Sequence, residues 1–219
     1  MAQKFAILGL GIFGTQLART LVENGCEVIA VDGEMDNIEG IADDVHLAVQ
    51  GDFTRLDVLV EAGVAECDIA IVTAGEKLET SVLSIMNLQE LGVKKIIAKT
   101  RSLAYKEVLE RVGATRVIIP ELDVARIYGN QMTNPNLHNI LRLDEEYNFI
   151  EFQPIQKWVG RTIDQLDFRQ RYGVNIIAFK ASEDARLSIH VNPNHRLEAG
   201  NILFGLTDND RFEQEILHN

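Results

Sequence analysis

"AILGLGIFGTQLA", residues 6–18, decides the reading of the first half of the chain. An apolar run passes into three glycines, Gly9, Gly11 and Gly14, and these lead into a segment with helical spacing. Each glycine has its own task in the order strand, G-x-G-x-x-G, helix. The first permits the tight turn, the second lets a pyrophosphate approach the backbone, and the third lets helix and strand pack closely. Ile12 and Phe13 stand between the second and third glycines, where the helix begins and its free N–H groups are offered to an anion.

The segments that follow repeat the strand–helix alternation. Strands are expected at 4–10, 27–32, 46–52, 68–74, 94–100 and 116–121. Most are continuous apolar runs, which suits parallel strands covered on both faces. Between them, residues 13–24 place Phe13, Leu17, Leu21 and Val22 on one helical face, with Gly25 as the stop. The stretch 77–92 gathers Val82, Leu83, Ile85, Met86, Leu88 and Leu91 on a broad face before Gly92, and 103–113 ends the same way at Gly113. This rhythm predicts an α/β fold, a Rossmann-like doubly wound parallel sheet with right-handed crossovers.

Polar residues close several of these strands, at the end of an open α/β sheet where ligands bind. Asp32 ends the second, and a carboxylate there accepts hydrogen bonds from ribose hydroxyls and repels a 2′-phosphate. Asp52 and its neighbour Phe53, Thr73 with Ala74, Lys99 and Glu121 hold the corresponding positions. Lys99 and Arg101 suit phosphates, and Glu121 suits a ribose, a metal or a neighbouring subunit.

After Glu121 the rhythm breaks. Residues 122–132 read as a further helix, and 133–143 as a short apolar helix containing Pro135. From Tyr147 onward the pattern is strand-rich, with strands expected at 147–155, 173–181, 186–193 and 201–206, a helix within 162–173 and another in the tail from Asn209. A small α+β module follows the nucleotide-binding domain, and the division is expected as 1–134 and 135–219.

The bulk properties narrow the function. The chain has 219 residues, 46% of them hydrophobic and 25% charged, with a formal net charge of −12. An acidic protein is poorly suited to nucleic acid or to a bare anionic membrane surface. No stretch approaches the roughly 18 apolar residues of a membrane span, so direct membrane insertion is not expected. The two cysteines, Cys26 and Cys67, are far apart and outside any CxxC, which points to a reducing cytoplasm. The five histidines are scattered, with no HExxH spacing, and no GxSxG elbow is present, so no enzymatic activity is expected.

Several longer stretches carry a resemblance: 5–14, 28–32, 51–54, 71–99 and 108–125, then 159–179 and 192–206. In these the chain resembles the cytosolic regulatory subunits of Trk/Ktr-type potassium uptake systems, built from an N-terminal RCK domain and a C-terminal RCK subdomain. The resemblance implies a non-catalytic regulator that binds an adenine nucleotide, ATP or ADP, or NAD or NADH. It implies homo-oligomers, dimers assembling into a ring (an octamer in size), docked on a membrane potassium-translocating subunit at the inner face of the cell membrane. Its nucleotide site would comprise Gly9, Gly11, Gly14, Asp32, Asp52, Ala74, Gly75, Lys99 and Glu121, with Glu121 also a candidate for a divalent or sodium cation. Ile12 stands where many ATP-responsive members carry arginine, and isoleucine cannot pair with a terminal phosphate, which gives NAD(H) or AMP-type ligands weight. In the second module, Ile163, Arg169, Asn175 and Pro193 match positions that bind cyclic di-AMP in several members, while Asp164 replaces an apolar residue. A small NAD-dependent oxidoreductase and an RCK regulator of another cation channel are the alternative readings.

Overall fold

The structure is a computed structural model that describes residues 2–74, 77–133, 136–144 and 146–208. The backbone divides into two compact units, Met1–Leu122 and Asp123–Asn219.

The first unit alternates strand and helix as expected: β1 (Lys4–Leu8), α1 (Ile12–Glu23), β2 (Glu27–Asp32), α2 (Met35–Glu39), β3 (Leu47–Gln50), α3 (Leu56–Glu61), β4 (Ile69–Val72), α4 (Leu78–Glu90), β5 (Lys95–Lys99), α5 (Leu103–Val112) and β6 (Arg116–Ile118). The strands form one six-stranded sheet in the order β3-β2-β1-β4-β5-β6. Every pairing in it is parallel. The order reverses between β1 and β4, which makes the C-terminal end of β1 the switch point at which such sheets bind ligands. Ala6, Ile7 and Leu8 of β1 are fully buried, so the continuous apolar run does mark a strand covered on both faces.

Sheet and helices enclose two apolar cores. One joins Leu8, Leu59, Val72, Ile85, Leu88 and Leu109, and the other Ile7, Ala18, Val28, Ile38 and Ile41. In α4, Ile85 and Leu88 enter the core while Leu83 and Met86 are exposed, so its apolar face is wider than the stripe it buries. The strands are shorter than the apolar runs that announce them. β1 stops before Gly9, whose φ of +103° leaves the strand region, and β6 stops at Ile118, before Pro120 begins α6 (Pro120–Thr133). Cys67 is buried and Cys26 half-buried, both as free thiols, and burial pushes the Cys67 thiol up to about 11, out of reach of ordinary redox chemistry.

The second unit is a four-stranded antiparallel sheet in the order β7-β8-β10-β9, made by β7 (Leu137–Arg142), β8 (Tyr147–Phe152), β9 (Val174–Lys180) and β10 (Ile202–Asp208). Two short helices, α7 (Ile163–Leu166) and α8 (Phe168–Tyr172), precede β9. Trp158, fully buried, packs edge-on against Phe152, Phe168 and Tyr172, and its indole N–H donates to the Tyr172 hydroxyl at 2.9 Å. That bond satisfies the one polar atom the indole brings into the core.

Three expectations for this unit are corrected. The apolar helix expected over 133–143 is strand β7. The spacing of Leu137, Ile140 and Leu141 is helical, but a register shift between Leu137 and Asn139 sets Leu137 opposite Phe152 and Ile140 opposite Ile150, so pairing with β8 decides it. The strand expected at 186–193 is absent apart from a single bridge between Ser188 and Phe179. The Ser188 hydroxyl bonds the backbone of His190, and Asn192 and Pro193 turn the chain. The single helix expected within 162–173 is broken in two at Asp167, whose φ is +45°. Thr162 and Gln165 cap the first piece reciprocally, so the break lies between two ordered termini. Gly75, Pro135 and the tail helix lie outside the described residues.

Candidate functional site

The C-terminal end of β1 brings most of the first unit's candidates together. Gly9 takes its positive φ beneath Thr73, and a Cβ on it would lie 2.9 Å from the Thr73 hydroxyl. Gly14 is tighter, because a Cβ there would stand 2.1 Å from the Gly9 carbonyl oxygen. Gly11 is different: a Cβ on it would meet nothing within 4 Å. Two glycines therefore seat α1 against the sheet, and the third leaves open space over the loop. Gly11 is also the N-cap of α1, with no side-chain cap and no acidic residue in the first turn. The first N–H groups of an α-helix have no partner within it, so this end is suited to an anion. Open backbone and uncapped N–H groups fit the pyrophosphate of a nucleotide. Ile12, 95% exposed, stands beside them and adds no charge.

Side chains lock the loop from below. The Thr73 hydroxyl donates to the carbonyl of Gly9 at 2.6 Å, with that of Leu8 at 3.1 Å, so Thr73 supports the turn. Asp32, only 7% exposed, accepts the Leu10 N–H on Oδ2 at 2.5 Å. Its Oδ1 accepts the Glu34 N–H at 2.8 Å and the Asn37 side-chain amide at 3.1 Å. The carboxylate that sequence places at the ribose position is thus first a clamp between the glycine loop and the start of α2. Asn37 and the Thr15 hydroxyl, which donates to the Leu10 carbonyl, carry no motif that would announce them.

The far wall is electrostatic. Lys99, with its side chain 7% exposed, donates from Nζ to Glu121 Oε1 at 2.7 Å, and Arg101 Nε stands 3.4 Å from the same oxygen. The Lys99 ammonium lies 5.8 Å from the centroid of the Phe13 ring, which places it beside the first turn of α1. The hydrogen bond from Lys99 holds the Glu121 carboxyl below its ordinary value of 4.5. A depressed carboxylate stabilises the fold above its unfolded value, and that contribution disappears as pH falls through the folded value. Glu121→Gln is therefore expected to lower the urea midpoint at pH 7. For a pair in which Glu121 is half-exposed the deficit is at most about 1 kcal/mol, and it closes in acid below pH 4.5. An equal deficit at all pH values would assign the effect to packing.

Asp52 ends the β3 loop exposed to solvent. Thr54 donates to it from hydroxyl and backbone, at 2.7 and 2.9 Å, and these bonds hold its carboxyl below the usual range. Phe53 packs on the core, and the Asn87 amide holds the Thr54 carbonyl at 2.7 Å, tying this loop to α4. The Ala74 carbonyl accepts the Ser81 hydroxyl at 3.1 Å. Among the described residues no three His, Cys, Asp or Glu side chains gather as a metal cluster.

In the second unit, Ile163 and Asp164 meet the 192–195 turn through their backbone. The Ile163 N–H donates to the His195 carbonyl and the Asp164 N–H to that of Pro193. Arg169 on α8 and Asn175 on β9 are exposed. Among the described residues no helix is long and apolar enough to cross a membrane.

Comparison with known proteins agrees with this architecture. Residues 5–120 match the TrkA-N domain and residues 150–214 the TrkA-C domain. The Ktr system potassium uptake protein C of Bacillus subtilis is 33% identical over 219 residues, covering 100% of this chain and 99% of the relative. The Ktr system potassium uptake protein A of the same organism is 31% identical over 186 residues, covering 85% and 84%. Among solved structures, the GsuK channel bound to NAD superposes with a TM-score of 0.66 at 19% identity, over 100% of this chain and 40% of that one. That likeness is one of fold.

Proposed function

This chain belongs to the TrkA-N/TrkA-C family that includes the Ktr potassium uptake proteins, and from that premise we propose that it is a nucleotide-sensing regulatory subunit of a potassium uptake system. The observation that carries the nucleotide half of this reading is the open, uncapped Gly11 end of α1 at the switch point of the sheet. The diphosphate of an adenine nucleotide, ATP, ADP or NAD(H), sits on the N–H groups of Gly11, Ile12, Phe13 and Gly14. Asp32 takes the ribose, and Lys99 with Arg101 faces the phosphates. Gly9 and Thr73 shape the floor, while Asp52, Phe53 and Ala74 border it.

The nucleotide is a signal and not a reagent. Copies of the chain assemble, residues 1–134 sensing the nucleotide and 135–219 serving as the dimerisation module, on a membrane potassium-translocating subunit at the cytoplasmic face. Ligands with different affinities for two shapes of the assembly shift its population and so gate transport. Glu121 is available to a cation only if a second carboxylate, from another copy, outweighs the pull of Lys99. Ile163, Asp164, Arg169, Asn175 and Pro193 form the candidate surface for cyclic di-AMP, with the Asp164 carboxylate opposing it.

Thermal melting of the full chain against ATP, ADP, NAD and NADH tests the reading. A ligand that binds the folded state at 100 times its Kd adds about 2.7 kcal/mol of stability and raises Tm accordingly. A rise with at least one of them and no consumption of NADH is expected. Silence from all four overturns the nucleotide assignment, and substrate-dependent NADH oxidation overturns the regulatory one.

A further inference from the structure

The hydrogen bonds around Asp32 leave the ribose subsite one acceptor short. A carboxylate offers about four lone-pair positions. Oδ1 spends two of them on the Glu34 N–H and the Asn37 amide, and Oδ2 spends one on the Leu10 N–H. One position remains, on Oδ2, so Asp32 can take a single ribose hydroxyl. A ribose presents two neighbouring hydroxyls, and the second needs another acceptor within reach.

Asn37 supplies it. Because an ionised carboxylate only accepts, the atom of Asn37 facing Asp32 Oδ1 at 3.1 Å is the NH2, and this fixes the amide orientation. Its carbonyl Oδ1 then points away from Asp32, and among the described residues no donor is recorded on it. The side chain is half-buried on α2, a short helix whose Ile38 anchors it in the core. We infer that Asn37 is a specificity-determining residue, the second ribose acceptor: Asp32 Oδ2 accepts one hydroxyl of the nucleotide and Asn37 Oδ1 the other. The inference rests on the nucleotide reading and adds to it a recognition of the intact diol. A phosphate on either hydroxyl would replace a donor by an acceptor-only anion, facing two acceptors.

Calorimetric titration of the full chain with ADP, 2′-deoxy-ADP and 3′-deoxy-ADP tests this, for wild type and Asn37→Ala. Wild type is expected to lose affinity for both analogues. Asn37→Ala is expected to bind ADP roughly 3- to 10-fold more weakly, the equivalent of one neutral hydrogen bond. One analogue, the one lacking the hydroxyl that Asn37 accepts, should then be bound by Asn37→Ala as well as ADP is. The ratio of ADP to analogue is taken within one protein, so a general loosening of the loop cancels. If both analogues keep their full wild-type penalty in Asn37→Ala, Asn37 acts only by holding Asp32 and the inference is overturned. If wild type binds none of ATP, ADP, NAD and NADH, it is the nucleotide reading that fails.

Discussion

Gly14→Ala is expected to destabilise the first unit by about 3 kcal/mol or more, toward or beyond the upper end for overpacking, and to abolish nucleotide binding. The added Cβ meets backbone, the Gly9 carbonyl oxygen at 2.1 Å, and no rotamer change can relieve that collision. α1 must lift from β1, and the N–H groups at its first turn move with it. Gly11→Ala is the companion. Its Cβ meets nothing within 4 Å, and the residue sits at φ −65° and ψ −177°, extended backbone open to any residue. Gly11→Ala should keep the wild-type urea midpoint to within about 1 kcal/mol, the scale of an N-cap substitution, and still lose affinity because the methyl occupies the approach to the phosphates. Equal destabilisation by both variants would sink the division of labour between the two glycines.

Asp32→Ala should be nearly as severe. It leaves the Leu10 N–H, in a buried bond, and the Glu34 N–H without their acceptor, and each such loss costs about 1–3 kcal/mol. A fall of roughly 2–4 kcal/mol in chemical denaturation is expected, together with loss of nucleotide binding. Asp32→Asn keeps one accepting oxygen and should fall between Asp32→Ala and wild type. Because the carboxylate holds the loop as well as facing the ligand, lost affinity in Asp32→Ala reports on both roles. The ribose contact is isolated by the deoxy-nucleotide comparison at Asn37. A denaturation midpoint unchanged in Asp32→Ala would contradict the clamp.

The sheet was legible because parallel strands buried on both faces leave uninterrupted apolar runs. Gly9, Gly11 and Gly14 were legible because their spacing has a steric cause. Partnerships across the fold were not. Asp32 could be placed at a strand end from its position alone, but nothing in residues 27–37 says that its oxygens reach back to Leu10. Position alone puts Lys99 and Glu121 at neighbouring strand ends, and nothing in it says that the two side chains pair with each other. Position puts Thr73 just past the end of β4, and nothing in it says that the hydroxyl turns under the glycine turn. Asn37 is an ordinary polar residue until the donor and acceptor inventory around Asp32 is complete. In the second unit, edge segments such as 137–142 and 186–193 depend on whether a partner strand lies alongside, and local spacing does not carry that information, while the break at Asp167 is a backbone turn inside an otherwise helical pattern.

The strand order also bears on how the chain is made. β1 lies in the middle of its sheet, and on one side its partner is β4, with Phe5 opposite Ile69 and Leu8 opposite Val72. During synthesis β1 emerges first, and β2 can reach only one of its edges. The other edge waits until the ribosome has produced residue 72. At roughly 5–20 residues per second this leaves a segment whose residues 5–8 are all apolar half-paired for several seconds. The segment that later seats the glycine loop is therefore open to wrong pairing while the protein is being born, and slowing translation between β2 and β4 should lower the yield of folded chain.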